Sequence, residues 1–149
     1  MTLKDLQLSF TLSSAELSWV TGFARGPDTR VAVGTLLKCL QYLHYFPDVA
    51  AIPPEIVEHV SATLGVEPRR ELVYGSSLTT LYRHHKAIRS LLGVRPFDLK
   101  RDQKMLVRIA HEAALVVDTR SDVINIAVDE LVRLGYELPA FSALVEVAV

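Results

Sequence analysis

The residues best placed to do chemistry in this 149-residue chain are cationic, and they are concentrated. Residues 69–108 hold ten of the sixteen Lys and Arg side chains: Arg69, Arg70, Arg83, Lys86, Arg89, Arg95, Lys100, Arg101, Lys104 and Arg108. Only Glu71, Asp98 and Asp102 oppose them, so this stretch carries +7 inside a chain whose formal total is −1. The flanks are acidic, −3 over residues 1–68 and −5 over residues 109–149. A local positive field of this kind matches a phosphate backbone.

Other chemistries find no constellation. His44, His59, His84, His85 and His111 include no pair four residues apart with a third ligand nearby. Cys39 is alone, which excludes a zinc knuckle and an internal disulfide. There is no G-x-S-x-G, no Walker loop and no set of Rossmann glycines. The segment is therefore expected to hold no catalytic residue, metal or cofactor. No apolar run approaches the ~18–20 residues of a membrane helix, and no secretion signal opens the chain. With the solitary cysteine, this points to a reducing cytoplasm and no membrane partner.

The elements that must position the basic residues read as helices, since apolar residues recur at three- and four-residue spacing. Ser13 and Ser14 cap a helix that runs to about Ala24, and Arg25-Gly26-Pro27 breaks it. A second helix spans about Asp28 to Tyr45, with Val33, Leu36, Leu37, Leu40 and Leu43 on one stripe. Pro53-Pro54 opens a third, Glu55–Leu64. Residues 67–74 read as a short helical turn. Two helix ends share one cap, Leu64-Gly65-Val66 and Leu92-Gly93-Val94, each followed two residues later by Pro. Further helices run from about Asp98 to Val117 and from Ser121 to Leu134. The apolar finish Leu144–Val149 fits either a docked terminal helix or a chain that continues into a larger polypeptide.

The helix over residues 77–92 matters most. At the helical period Leu78, Leu81, Tyr82, His85, Ile88 and Leu92 share one face, and Thr79, Thr80, Arg83, Lys86, Ala87 and Ser90 the other. His84 and Arg89 fall on the flanks. A cationic face with small hydroxyl residues suits a major groove, where Arg reads guanine edges and Lys grips phosphate. Any soluble helix also turns Arg and Lys outward. The absence of an acid between Leu72 and Phe97 tips the reading toward function, because solvated helices ordinarily mix signs. In the next helix Arg101, Lys104 and Arg108 share a face and extend the same field.

The order of motifs resembles a family. Phe10-Thr11-Leu12-Ser13 with Glu16-Leu17 comes first, then Arg25-Gly26-Pro27 with Arg30. Leu36-Leu37-Lys38 with Leu40 and Tyr42 leads to Phe46-Pro47, and Ile52-Pro53-Pro54-Glu55-Ile56-Val57 follows. Next are Leu64-Gly65-Val66, Thr80-Leu81-Tyr82-Arg83-His84-His85-Lys86-Ala87-Ile88-Arg89 and Leu91-Leu92-Gly93-Val94-Arg95-Pro96-Phe97. Glu137-Leu138-Pro139-Ala140-Phe141-Ser142 with Leu144 completes the series. Over nearly its whole length the chain resembles the N-terminal region of the Tn-three-type replicative transposases, the TnpA proteins of bacterial mobile elements.

The resemblance implies an all-α, multi-helix orthogonal bundle with helix-turn-helix-like units. It implies binding to double-stranded DNA at the terminal inverted repeats, as part of DNA transposition, with catalysis in a domain outside this segment. The expected organisation is a unit over residues 1–94, ending in the recognition helix, and a second over 95–149. The second is expected to pack on the first and to continue into the rest of the transposase. The expected DNA-facing residues are Thr79, Thr80, Arg83, His84, Lys86 and Arg89, extended by Arg95, Arg101, Lys104 and Arg108, with Arg25 and Arg30 as a second group. A homodimer is compatible with the charge segregation. The alternative is a helical protein-interaction or dimerisation module whose basic face meets an acidic partner.

Overall fold

Helices begin in this chain where a side-chain oxygen is available for the free N–H groups of a first turn. Thr2 caps α1 (Leu3–Phe10) and Ser13 caps α2 (Ser14–Phe23), each in a reciprocal box with Asp5 or Glu16. Pro27 and Pro54 occupy the first turns of α3 (Pro27–Leu43) and α4 (Pro54–Thr63), where a missing N–H costs nothing. Asp98 caps α6 (Leu99–Ala114) and Thr119 caps α7 (Arg120–Arg133). With α5 (Thr79–Leu92) and α8 (Phe141–Val147) these make eight α-helices, and a 3-10 turn lies at Val49–Ala51. This computed structural model describes residues 2–149, among which there is no β-strand, so the chain is an all-α multi-helix bundle.

Two compact units form, the first ending at Ser90 and the second spanning Leu91–Val149, whereas the sequence reading divides the chain after residue 94. In the first, α3 is the axis. Every residue from Val31 to Leu40 is buried, because α1, α2 and α4 all pack on it. An amphipathic stripe was expected there, yet the helix is enclosed on all sides. Gly34 permits this: a Cβ at that position would lie 3.2 Å from both Leu12 Cδ1 and Val60 Cγ1. The core around it includes Phe10, Val20, Leu36, Leu37, Val57 and Val60, each 2% exposed or less. Burial of such a side chain contributes about 1.5–3 kcal/mol.

Enclosure of α3 also buries Lys38, whose side chain is only 10% exposed. Its ammonium reaches Glu16 Oε1 at 2.7 Å, and Gln41 Nε2 donates to Glu16 Oε2 at 2.6 Å. Glu16 also accepts the Ser13 N–H at 2.8 Å, so one carboxylate caps α2 and fastens it to α3. Burial alone would raise its pKa. The bonds from Lys38, Ser13 and Gln41 outweigh that and hold it at about 2 instead of 4.5. A depressed carboxylate stabilises the fold above its unfolded pKa and loses that contribution as pH falls through the folded one. Glu16→Gln is therefore expected to be less stable at pH 7 by about 2 kcal/mol. The gap should close as pH drops from 4.5 towards 2, as followed by urea unfolding.

The second unit is a three-helix arrangement in which α6, α7 and α8 all contact one another. Leu106 and Ile109 of α6, Ala127 and Leu131 of α7, and Leu144 of α8 form its buried centre. The segment before α6 is stitched to the end of α7 by Arg95 N–H to Gly135 O and Glu137 N–H to Arg95 O, both 2.8 Å.

The glycine caps form as the motif implies. Gly65 and Gly93 sit at φ +69° and +66°, and Gly135 repeats the device at +82°. After Gly65 and Gly135 the next residue folds back, with Val66 N–H to Ser61 O at 3.1 Å and Tyr136 N–H to Leu131 O at 2.9 Å. Three expectations change. Helix α1 is present although it was not read from the sequence, and α8 forms where a terminal helix was one of two readings. Residues 67–74 form no helix but belong to an irregular connection. That connection, 64–78, links α4 to α5, where a helix-turn-helix needs a turn of about three or four residues.

Candidate nucleic-acid interface

Helix α5 opens at Thr79, where Ser77 Oγ accepts the Thr79 N–H at 3.3 Å. Among the described residues of the first unit, none of α1 to α4 runs alongside it. Its attachments within the first unit are side-chain contacts to Phe23 at the end of α2, to Phe46 after α3, and to Tyr74 in the irregular connection. The helix therefore keeps a wide face open to solvent.

The buried stripe is not the one the spacing predicts. His84 and Ile88 are its centre, 2% and 0% exposed, with Leu81 and His85 half-buried beside them. Leu78 and Tyr82, expected on the apolar side, are 52% and 57% exposed. The expectation that His84 faces DNA is thus corrected, since its ring is enclosed. Tyr74 Oη lies 2.6 Å from its Nδ1, and the Phe23 ring meets it edge-on at 5.9 Å. Burial raises the Tyr74 pKa, so the hydroxyl keeps its proton in this bond. Burial first, and the Arg83 charge second, lower the His84 pKa. His85 lies flat on Phe46, with centroids 3.9 Å apart and rings 5° from parallel. Its Nε2 is buried without a hydrogen-bond partner. Burial, then the charges of Arg89 and His84, hold its pKa at about 4. Both imidazoles are therefore neutral at pH 7, and the cationic character of α5 comes from its Arg and Lys side chains. Tyr74→Phe is expected to cost about 1–2 kcal/mol in urea unfolding, because it leaves the buried His84 Nδ1 unpaired.

The other candidate residues divide by what already occupies them. Thr79, Thr80, Arg83 and Lys86 are exposed on α5, and neither Arg83 nor Lys86 meets an acid among the described residues. Arg89 is half-buried, with its guanidinium 5.8 Å from the Phe46 ring centre. In the first unit Arg30 donates to Ala24 O at 3.0 Å and Thr21 O at 3.3 Å, closing the end of α2, while Arg25 is exposed. Arg69 pairs with Asp28 at 2.8 Å and Arg70 with Glu58.

In the second unit, Arg101 is held by Asp102 at 3.0 Å and donates to Pro96 O at 2.8 Å. Arg95 lies 5.0 Å from the Tyr136 ring centre. Lys104 and Arg108 are exposed along α6 without an acidic partner among the described residues. Lys100, one turn before Lys104, joins them. Sequence reasoning counted it in the basic stretch but missed it as a site residue, although its four-residue spacing from Lys104 carries the signal.

Among the described residues, no group of three or more His, Cys, Asp and Glu side chains could hold a metal ion, and no helix is long and apolar enough to cross a membrane. The arrangement offers spaced cations on helical faces, which suits electrostatic recognition of a polyanion.

Over 136 residues, 91% of its length, the chain is 26% identical to the transposase for transposon Tn1546 of Enterococcus faecium. It spans 14% of that protein. Residues 2–149 match the family described as Domain of unknown function (DUF4158), and the chain belongs to that family.

Proposed function

We propose that this chain is a DNA-binding segment of a transposase, one that positions the protein on the terminal inverted repeats of its transposon and carries no catalytic step itself. The observation that carries the reading is the open face of α5. Arg83 and Lys86 stand exposed on it, with no acidic partner among the described residues. Each exposed cation without an acidic partner is available to a phosphate or a base edge. Likeness to a transposase over 91% of the chain supports the same assignment. Lys100, Lys104 and Arg108 give the second unit its own phosphate-binding face. The partners in this reading are duplex DNA and the remainder of the transposase polypeptide, in the bacterial cytoplasm.

The test is binding of the chain to inverted-repeat duplex in competition with scrambled duplex across a salt series. Expected are a preference of roughly tenfold or more for the repeat and a steep linear fall of log affinity with log salt. No binding to either duplex at low salt would leave the basic face to an acidic protein partner.

A further inference from the structure

Tyr82 is the most exposed large hydrophobic side chain of α5 among the described residues, ahead of Leu91. The helical period assigns it to the buried stripe, yet 57% of it is open. It lies on the flank of the cationic face, one turn after Thr79 and one turn before Lys86. It is also supported from behind. Its ring is tilted 53° against His85 at 6.1 Å between centroids, and His85 is stacked on Phe46. Phe46 and His85, both half-buried, stand behind the exposed Tyr82 ring. The ring is therefore positioned in advance, which reduces the ordering cost of using it in binding.

An exposed tyrosine beside cations suits a partner that is polyanionic and has an apolar projection within reach. Duplex DNA offers this in the major groove, where the thymine 5-methyl group is the apolar feature among hydrogen-bonding edges. Arg83 and Lys86 on the same face supply the charge complement that brings the groove to the ring. Resting on the DNA-binding reading above, we infer that Tyr82 is a specificity-determining residue that packs its ring against a thymine methyl in the sequence read by α5. Leu78, exposed one turn earlier on the same flank, widens the apolar contact. Neither residue was among those expected from the sequence to face DNA.

The experiment uses the full chain and a duplex it selects from a random pool, with each thymine replaced in turn by deoxyuridine to remove one methyl. At one position the replacement should weaken the parent chain about fivefold, the scale of one buried methyl group. Tyr82→Ala should bind the unmodified duplex roughly tenfold more weakly and be indifferent to deoxyuridine at that position. Tyr82→Phe should retain both affinity and methyl dependence, since the ring and not the hydroxyl makes the contact. Circular dichroism should show the same helix content in all three proteins, because the side chain is exposed. Unchanged affinity in Tyr82→Ala, or a loss with no coupling to any thymine, overturns the inference and leaves the DNA-binding reading intact. If the parent chain enriches no duplex from the pool, the reading itself fails and the inference falls with it.

Discussion

The double variant Arg83→Ala/Lys86→Ala is expected to bind its preferred duplex roughly 30- to 300-fold more weakly than the parent chain at ~0.1 M salt. Both side chains are exposed and neither is matched with an acid, so neither is already used within the fold. Each cation that meets a phosphate releases condensed counterions, and removing two should flatten the log–log salt dependence by about 1.8 units. The single variants separate the roles. If Arg83 reads a guanine edge, Arg83→Ala should cost about 1–3 kcal/mol on the preferred duplex and little on scrambled DNA. Lys86→Ala should weaken binding evenly across sequences, as a phosphate contact does. Folding stability should stay within about 0.5 kcal/mol of the parent, because surface positions without partners contribute little. A salt slope that does not move on removal of both charges would place the DNA contact elsewhere in the chain.

Gly34→Leu is expected to destabilise the first unit by about 3 kcal/mol, read from urea unfolding. At this position two effects oppose each other. Glycine inside a helix costs about 1 kcal/mol relative to alanine. Against that, a Cβ at residue 34 already comes within 3.2 Å of Leu12 and Val60, and both neighbours are themselves buried. Gly34→Ala asks those side chains to give by a few tenths of an ångström, so propensity and crowding should nearly cancel. A leucine adds three further carbons to a space with no vacancy, and packing then dominates by a wide margin. The order of stability should be parent close to Gly34→Ala, with Gly34→Leu far below. Comparable stability of all three would show that α3 is less enclosed than its burial indicates.

Local chemistry made much of this chain legible before any fold was known. Ser13 with Glu16, Pro54 and Asp98 mark helix starts because first-turn N–H groups need a partner or no proton at all. Gly65 and Gly93 mark ends because only a residue without a Cβ enters the left-handed region cheaply. The irregular connection over 64–78 was read partly as helix, since its apolar residues show no period to contradict one. Helices α1 and α8, eight and seven residues long, are too short to declare a stripe.

The candidate site was legible as charge but not as orientation. Ten basic residues in forty positions are visible in one dimension, and so is the amphipathic character of residues 79–92. Which of those cations is taken up within the fold is decided by partners distant along the chain, as with Arg69 on Asp28 and Arg70 on Glu58. The rotation of α5 about its own axis is tertiary in the same sense. Hydrophobicity ranks Tyr82 and Leu78 above His84 for burial. Tyr74 and Phe23, from two other segments, supply His84 with a hydrogen bond and an aromatic wall, and the helix turns to present it.

The sequence by itself determined that the chain is helical, where most helices start and stop, and that its middle is basic, because caps and charges act over a few residues. The tertiary structure alone decided that Lys38 is buried, that His84 faces inward and that Tyr82 faces out, because burial depends on which segments meet.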